Sequence, residues 1–460
     1  MCQVTADYAD LFCELFDSLP AGEFRSRGEA WLGDPRSLAC ARETEARALE
    51  GTLSAAWVGD TITRTSRGES DRILFGALQG LDRALAHANP LLAAVPPPAV
   101  AEYGLRYAES GRFDSGAVPG GLLPRFARPG RGGQLPDDLT DAFGALVRVQ
   151  AREWQACDHR FLRAQARLTR LDRDAGLKVA TAPMVRDPDE LHWEMHERSQ
   201  RRFYRIHPAD REVTQRRIEH VVAGWDEHGV SIGIAPELCL SRRLLERWRT
   251  ALRGREHAAT SRLRLVIAGS GNIEETTPPA NTAVLLDART GEILTLQRKL
   301  HPFNLSPADI ERWRLADRFQ APIDEDLNRG ERLSVVEIGG ARLAILVCED
   351  LARLHAFASD LHAHGVSLIV VPVFARPTKD RRWERARAEV YSDVIGSSVV
   401  VANSLVMASI LGEDGPVGTA IAVAPGQAAV GHASEADDVV TFTLLGGSPE
   451  VTHERTPERA

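Results

Sequence analysis

Three side chains with chemical potential each follow a run of apolar residues. In SIGIAPELCLS, Glu237 comes directly after a short apolar run and Pro236; in ILTLQRKLHPF, Lys299 ends an alternating run; in ARLAILVCEDLAR, Cys348 lies between Leu343–Val347 and a segment of helical character that starts near Leu351. A cysteine at a strand-to-helix turn is suited to be a nucleophile. The helix N-terminus supplies partial positive charge that lowers a thiol pKa, and backbone amides at the turn can face a developing oxyanion. A carboxylate within reach can take the thiol proton, and an ammonium can balance the thiolate and the tetrahedral intermediate. Taken singly, each residue has a plainer reading. A buried cysteine is usually a small hydrophobe, a glutamate near a helix start favours the dipole, and a strand-end lysine is ordinary. All three at the ends of strongly apolar strands make a complete acyl-transfer set.

The elements that must position these residues are legible from periodicity. Up to about Arg173 the texture is helical: Tyr8, Leu11, Phe12, Leu15 and Phe16, then Leu74, Leu78, Leu81 and Leu85, follow the period of amphipathic helices. Pro96, Pro97 and Pro98 interrupt it. The Gly-, Pro- and Arg-rich stretch Arg125–Pro136 reads as a loop, and a further helix is expected from Asp137, with Phe143, Leu146, Val147, Trp154, Cys157 and Phe161 on one face. From Leu177 the pattern changes to alternating strands and helices. Strands are expected at Lys178–Val185, Val230–Ala235, Leu263–Ala268, Leu368–Val371 and Val399–Ala402. Hairpins are expected around Asp287–Gly291 and around Gly339-Gly340, where glycine tolerates positive φ. Leu405–Met407 also reads as buried strand. Strands that alternate with helices imply sheets covered by helices.

Composition narrows the function. The chain has 460 residues, 43% hydrophobic and 26% charged, which excludes a disordered or collagen-like chain. A net charge of -8, with acids mixed into the Arg-rich stretches, offers no nucleic-acid footprint. Six scattered cysteines do not make a disulfide framework. The N-terminal MCQVTADYADLFCELFDSLP lacks the basic and apolar segments of a signal peptide. The longest uncharged run, Val394 to Gly412, contains Gly396, four serines and Asn403, whereas a spanning helix needs about 20 mainly apolar residues. A soluble, cytoplasmic protein with no membrane partner is expected. His355, His362 and His364 lack metal-ligand spacing and read as a solvated helix end.

The order APEL, RKLH, VCEDL resembles the nitrilase superfamily of carbon–nitrogen hydrolases, which use a Glu-Lys-Cys triad on an αββα sandwich. The resemblance runs from about Leu177 to Ser409. It takes in the GSGN after Leu263–Ala268, the NTAVLLDARTGEIL hairpin, NRGERLSVVEIGGARLAILVCED, LIVVPVFARP and VVVANS. It implies that Glu237 is the general base, Lys299 the lysine and Cys348 the nucleophile, with the backbone amide of Glu349 helping to hold the oxyanion. Many members carry a second glutamate between the lysine and the cysteine. PADIERWRLADRF resembles the FDExRxF stretch of the glutaminase domains of NAD synthetases, which makes Glu311 the candidate. CEDL is similar to the same domains, but no SGGxDS motif follows, so a one-chain glutamine-dependent synthetase is not expected.

These readings set the expectations. Residues 175–460 should form an α/β, four-layer αββα domain, and residues 1–174 a mostly helical region. The implied reaction is hydrolysis of a non-peptide C–N bond in a small-molecule amide, with a nitrile as the lesser choice and acyl transfer to an amine open to the same triad. No metal and no organic cofactor is implied, and members commonly pair as dimers. The alternative is a non-catalytic ligand-binding or regulatory protein on the same scaffold, its helical region binding a protein partner. An intact Glu, Lys and Cys set speaks against that alternative.

Overall fold

The computed structural model describes residues 7–19, 21–65, 69–89, 95–126, 139–162, 177–255, 258, 260–274, 276–320, 322–338, 341–378, 383–444 and 449–452. The chain divides into two compact units. One comprises Met1–Arg170, Glu337–Arg342 and Ser359–Val366; the other comprises Leu171–Val336, Leu343–Ala358 and Ser367–Ala460.

The first unit contains α1 (Tyr8–Ser18), α2 (Ala21–Leu32), α3 (Pro35–Leu49), α4 (Ala55–Thr63), α5 (Ser70–Ala86), α6 (Pro98–Ser110), β1 (Gly121–Pro124), β2 (Leu146–Val149), α7 (Ala151–Ala156) and β3 (Cys157–Phe161). Helix α1 forms as its periodicity demands. Asp7 caps it by accepting the Ala9 and Asp10 N–H groups, and Tyr8, Leu11, Phe12 and Phe16 are buried. Phe143 packs on Phe12 and Phe75, with ring centroids 5.2 and 6.1 Å apart. Gly80 lets α5 lie directly on α3, since a Cβ there would come within 2.5 Å of the Ala41 carbonyl.

The single helix expected from Asp137 is not formed. Its apolar residues are shared among a 3₁₀ turn at Leu139–Ala142, β2, α7 and β3. The cause is a long-range anchor. The buried Asp82 carboxylate accepts the backbone N–H groups of Gly144, Ala145 and Leu146 at 3.0, 3.1 and 2.9 Å. That turns the chain at Gly144 and leaves Leu146–Val149 to pair antiparallel with β1. Residues 127–136 of the expected loop and the expected boundary between residues 174 and 175 lie outside the described residues. The segments Glu337–Arg342 and Ser359–Val366 join this unit through a buried polar centre. Arg342 Nε donates to Glu337 Oε2 at 2.8 Å, and both side chains are fully buried. The Tyr107 hydroxyl donates to the same carboxylate, and Arg342 also donates to the Pro124 carbonyl. His364 belongs to this interior: it is fully buried, with its pKa lowered to about 4 by burial, and is not part of a solvated helix end.

The second unit is built on two large sheets. The first joins β4 (Leu177–Thr181), β7 (Ile232–Ile234), β9 (Leu265–Asn272), β10 (Thr282–Asp287), β11 (Ile293–Arg298), β19 (Val440–Leu444) and β20 (Pro449–Thr452) in the order β11-β10-β9-β7-β4-β19-β20, with β8 (Leu240–Ser241) on β9. The second contains β13 (Leu333–Ile338), β14 (Ala341–Ile345), β15 (Leu368–Val373), β16 (Ser398–Asn403), β17 (Val417–Ala424) and β18 (Gln427–Ala433), in the order β18-β17-β16-β15-β14-β13. The central pairs β4–β7–β9 and β14–β15–β16 are parallel, and their near-continuous apolar runs follow from burial on both faces. Helices α8 (Glu212–Glu227) and α9 (Arg242–Arg253) cover the first sheet. Trp225 and Trp248 stack at 5.6 Å, and a Cβ at Gly233 of β7 would come within 2.3 Å of the Trp225 ring. On the second sheet, α13 (Trp383–Ile395) lies along β16 and β17. The two sheets meet face to face where Gly431 of β18 opposes Val440 of β19, a Cβ there lying 2.2 Å from Val440 Cγ1. This is an α/β, four-layer αββα sandwich.

Smaller elements finish the unit: α10 (Pro307–Arg312), α11 (Glu349–Ala352), α12 (Leu354–Ala363) and α14 (Val406–Leu411). The last replaces the strand expected at Leu405–Met407; it ends at Gly412 in the left-handed conformation (φ 67°). A three-stranded sheet of β5 (Leu191–Arg198), β6 (Arg201–Pro208) and β12 (Asp324–Glu325) has no counterpart in the sequence reading, because its strands are polar and largely unburied. Among the described residues, no helix is long and apolar enough to cross a membrane.

Candidate active site

Each candidate side chain stands just beyond a strand of the second unit. Glu237 follows β7 by way of Pro236 and is only 2% exposed. Lys299 follows β11 and is 1% exposed; its backbone N–H donates to the Asn281 carbonyl at 2.8 Å. Cys348 stands immediately before α11 with φ 50° and ψ -100°. Positive φ is uncommon for a non-glycine residue and signals a functional constraint. The conformation is held by the Cys348 N–H, which donates to the Pro372 carbonyl at 2.9 Å.

The structure brings Glu237, Lys299 and Cys348 into one pocket. Lys299 Nζ is 2.9 Å from Glu237 Oε1. Its other partner is Glu325 on β12, whose Oε2 and Oε1 are 2.8 and 3.1 Å away. Glu311 is on the exposed side of α10, away from these groups, so the second carboxylate on the lysine is Glu325 and not Glu311. Asn281 supplies a further contact, its Nδ2 donating to Glu237 Oε1 at 2.9 Å. Glu325 is fixed in turn, since its Oε2 accepts the Phe303 N–H at 2.7 Å, and β12 pairs in parallel with β6. Aromatic rings wall the pocket: Phe303 stacks on Trp313 at 5.4 Å, and Trp193 meets Phe374 at 6.0 Å.

The turn that carries the cysteine is clamped to the turn that carries the lysine. The fully buried Asp350 carboxylate accepts the Leu300 N–H at 3.1 Å, the His301 N–H at 2.9 Å and the Val347 N–H at 3.3 Å. His301 Nδ1 lies 3.0 Å from the same carboxylate. Glu349, beside it, pairs with Arg353 at 2.9 Å. As the first residue of α11, Glu349 has a backbone N–H without an intrahelical acceptor.

The electrostatics correct one expectation. A helix N-terminus and a lysine should lower the thiol pKa, yet Cys348 is pushed well above the ordinary thiol range. Burial is the main cause, the Glu237 charge adds to it, and Lys299 pulls the other way. Helix α11 has only four residues, too short for a substantial dipole. Lys299 is held well above the usual lysine range: burial would lower it, but Glu237 and Glu325 outweigh that cost. Burial raises the Glu325 pKa, with Lys299 opposing it. The thiol is therefore held toward its neutral form, and the lysine toward its cationic form by the two glutamates it contacts. Such a set can move a proton off sulfur when an electrophile arrives, and it can place a cation beside the charge that develops.

Sequence reasoning missed Glu325 and Asn281. The acidic run Asp324–Asp326 was the available signal for the first; a lone asparagine before an apolar strand gives no signal for the second. Cys239 packs as expected, buried against the Pro236 carbonyl. Among the described residues, no group of three His, Cys, Asp or Glu side chains is placed to hold a metal ion.

No protein-family model matches the chain, and no curated protein matches it. Among solved structures, an amidase from Nesterenkonia sp. aligns at 19% identity with a TM-score of 0.39, covering 59% of this chain and 91% of that one. A mutant of the Nesterenkonia sp. AN1 amidase with covalent addition of the acetamide moiety of fluoroacetamide at its active site cysteine aligns at 19% identity and TM-score 0.39, over 59% and 92% of the two chains. Another mutant, of the Nesterenkonia AN1 amidase from the nitrilase superfamily, aligns at 19% identity and TM-score 0.37, again over 59% and 92%.

Proposed function

We propose that the second unit is a carbon–nitrogen hydrolase that opens a small-molecule amide through a thioester on Cys348. The observation that carries this reading is the buried Lys299 ammonium, 2.9 Å from Glu237 and 2.8 Å from Glu325, in the pocket that also presents the Cys348 thiol. Burying a charge is costly unless it is paired and hydrogen-bonded. A protein that buries a lysine and two carboxylates beside a strained cysteine is maintaining a polar site for use.

The steps follow from the contacts. Glu237 Oε1 already accepts from Lys299 and Asn281, so its other oxygen takes the thiol proton as sulfur attacks the carbonyl carbon. The oxyanion is held by Lys299 Nζ and the Glu349 N–H. Glu237 returns the proton to the amide nitrogen, the C–N bond breaks, and ammonia or an amine leaves. Water, deprotonated by Glu237, then attacks the thioester; as the C–S bond breaks and the acid leaves, Glu237 returns that proton to the Cys348 sulfur. Glu325 does not react; it keeps Lys299 charged and placed.

The test is Cys348→Ala in the full chain, screened for ammonia release over a panel of amides, carbamoyl compounds and nitriles. Turnover should disappear while the thermal unfolding transition stays, because either side chain fits a small buried turn. Retention of activity on the best substrate by Cys348→Ala is the result that rejects the mechanism.

A further inference from the structure

Asn281 lines the pocket and is 94% buried (6% exposed), and its two amide atoms are unequally used. Nδ2 donates to Glu237 Oε1 at 2.9 Å. The reverse orientation would point a carbonyl oxygen at a carboxylate, so the chemistry fixes which atom is which. That leaves Oδ1 as a buried acceptor, and among the described residues no donor reaches it. No other side-chain nitrogen or oxygen of the described pocket-lining residues is both buried and unpartnered. The rest of Asn281 is immobilised as well, since its carbonyl accepts the Lys299 N–H at 2.8 Å. The orphaned oxygen thus belongs to a side chain held on the Glu237 carboxylate through Nδ2 and on the Lys299 backbone through its carbonyl. Unpaired buried acceptors are costly and rare in folded proteins. One fixed in a pocket marks where a ligand's donor goes.

We propose that Asn281 Oδ1 accepts a hydrogen bond from the N–H of the scissile carboxamide, which makes Asn281 the residue that selects amides over esters and nitriles. This rests on the proposed amide hydrolysis and sharpens it. A nitrile nitrogen and an ester oxygen carry no hydrogen and leave Oδ1 unsatisfied. A primary or mono-substituted amide satisfies it, and the same contact turns the amide nitrogen toward Glu237, which must protonate it. Sites that hydrogen-bond a substrate N–H or O–H discriminate strongly against analogues that lack it, because the site's own polar group is then stranded.

The experiment uses the full chain and matched substrate pairs, a methyl ester and an N-methylamide with the same acyl group, from propanoyl to phenylacetyl. Both form the same thioester on Cys348, so the pair differs only in N–H against O. For the wild type, kcat/KM should favour the amide despite its lower intrinsic reactivity. In Asn281→Ala, kcat/KM for the amide should fall on the order of ten- to thirtyfold further than for the ester. Equal losses on both substrates would mean that Asn281 only positions Glu237, and the assignment would be overturned. Should Asn281→Ala fail to fold, the wild-type preference decides alone, and preference for the ester rejects the proposal. If the wild type takes an acyl group onto Cys348 from neither substrate of any pair, the hydrolase reading itself falls and this assignment with it. Mass spectrometry of the Cys348 peptide separates that outcome from the others.

Discussion

Replacing Glu325 by glutamine tests whether the second carboxylate keeps the lysine in place. The substitution is nearly isosteric, so it isolates charge and hydrogen bonding from packing. Glu325 Oε2 accepts from both Lys299 Nζ at 2.8 Å and the Phe303 N–H at 2.7 Å, and Oε1 takes the longer contact to Lys299 at 3.1 Å. A glutamine can keep its oxygen at the Oε2 position. Its NH₂ then occupies the Oε1 position and faces the lysine, donor against donor. At an effective dielectric of about 20, the gross attraction lost at 2.8 Å is ~6 kcal/mol. Relaxation of Lys299 onto Glu237 recovers part of that, so a net destabilisation of about 3–5 kcal/mol is expected from breaking this buried pair. The lysine should also move, and a shift of about 1 Å can cost on the order of 100-fold in turnover. The thiol should respond in the opposite sense. With one negative charge removed, Lys299 offsets the Glu237 charge more fully, so the Cys348 pKa falls toward the ordinary range. Urea denaturation gives the stability. The rate of iodoacetamide labelling at Cys348 between pH 7 and 9, read by peptide mapping, gives the thiol. Slower turnover with faster alkylation supports the reasoning. A variant within ~0.5 kcal/mol of wild type with unchanged labelling refutes it.

Three further outcomes are expected. Asp350→Asn places an NH₂ among the Leu300, His301 and Val347 N–H groups that the carboxylate now accepts; it should cost about 2–4 kcal/mol and lower kcat more than it raises KM, and a silent variant in both assays would remove Asp350 as the clamp. Burial raises Asp82 to about 6. A raised carboxylate contributes stability that is fully present below its unfolded pKa and lost as pH rises through the folded value, so about 2–3 kcal/mol should disappear between pH 4 and 6; the difference between wild-type and Asp82→Asn denaturation curves should show that slope, and a flat difference contradicts it. A chain that begins at Ala175 loses Tyr107 and Pro124, the partners of Glu337 and Arg342. It should be insoluble, and a soluble fragment with a cooperative melt would show that this buried centre is dispensable.

The legible part of the fold was the part decided locally. The strands that end before Glu237 and Cys348 are buried apolar runs, and the one that ends before Lys299 alternates buried and exposed side chains; both patterns announce themselves in sequence. What was missed depended on partners far along the chain. Phe143, Leu146, Val147 and Trp154 have helical spacing, but Asp82 takes the amides that a helix would need for itself. Glu325 sits on a two-residue strand that pairs with β6, more than a hundred residues earlier. No local pattern distinguishes it from Glu311, which has the better motif and the wrong side of a helix. The sign of the Cys348 pKa was misjudged for a related reason. The helix and the lysine are visible nearby in sequence, whereas complete burial is a property of the assembled sandwich.

The double occupation of Glu237 Oε1 has a temporal consequence. With that oxygen taken by Lys299 and Asn281, every proton in the proposed cycle must pass over the remaining one. Sulfur gives its proton there, the departing nitrogen collects it there, and the incoming water must be deprotonated there. The departing amine and the incoming water cannot occupy one atom together. The amine must therefore leave the protein before water can enter, and the acid can only follow. On this reading the order of product release is written into one carboxylate's hydrogen bonds, and an added amine should compete with water for the same berth and divert the acyl group to itself.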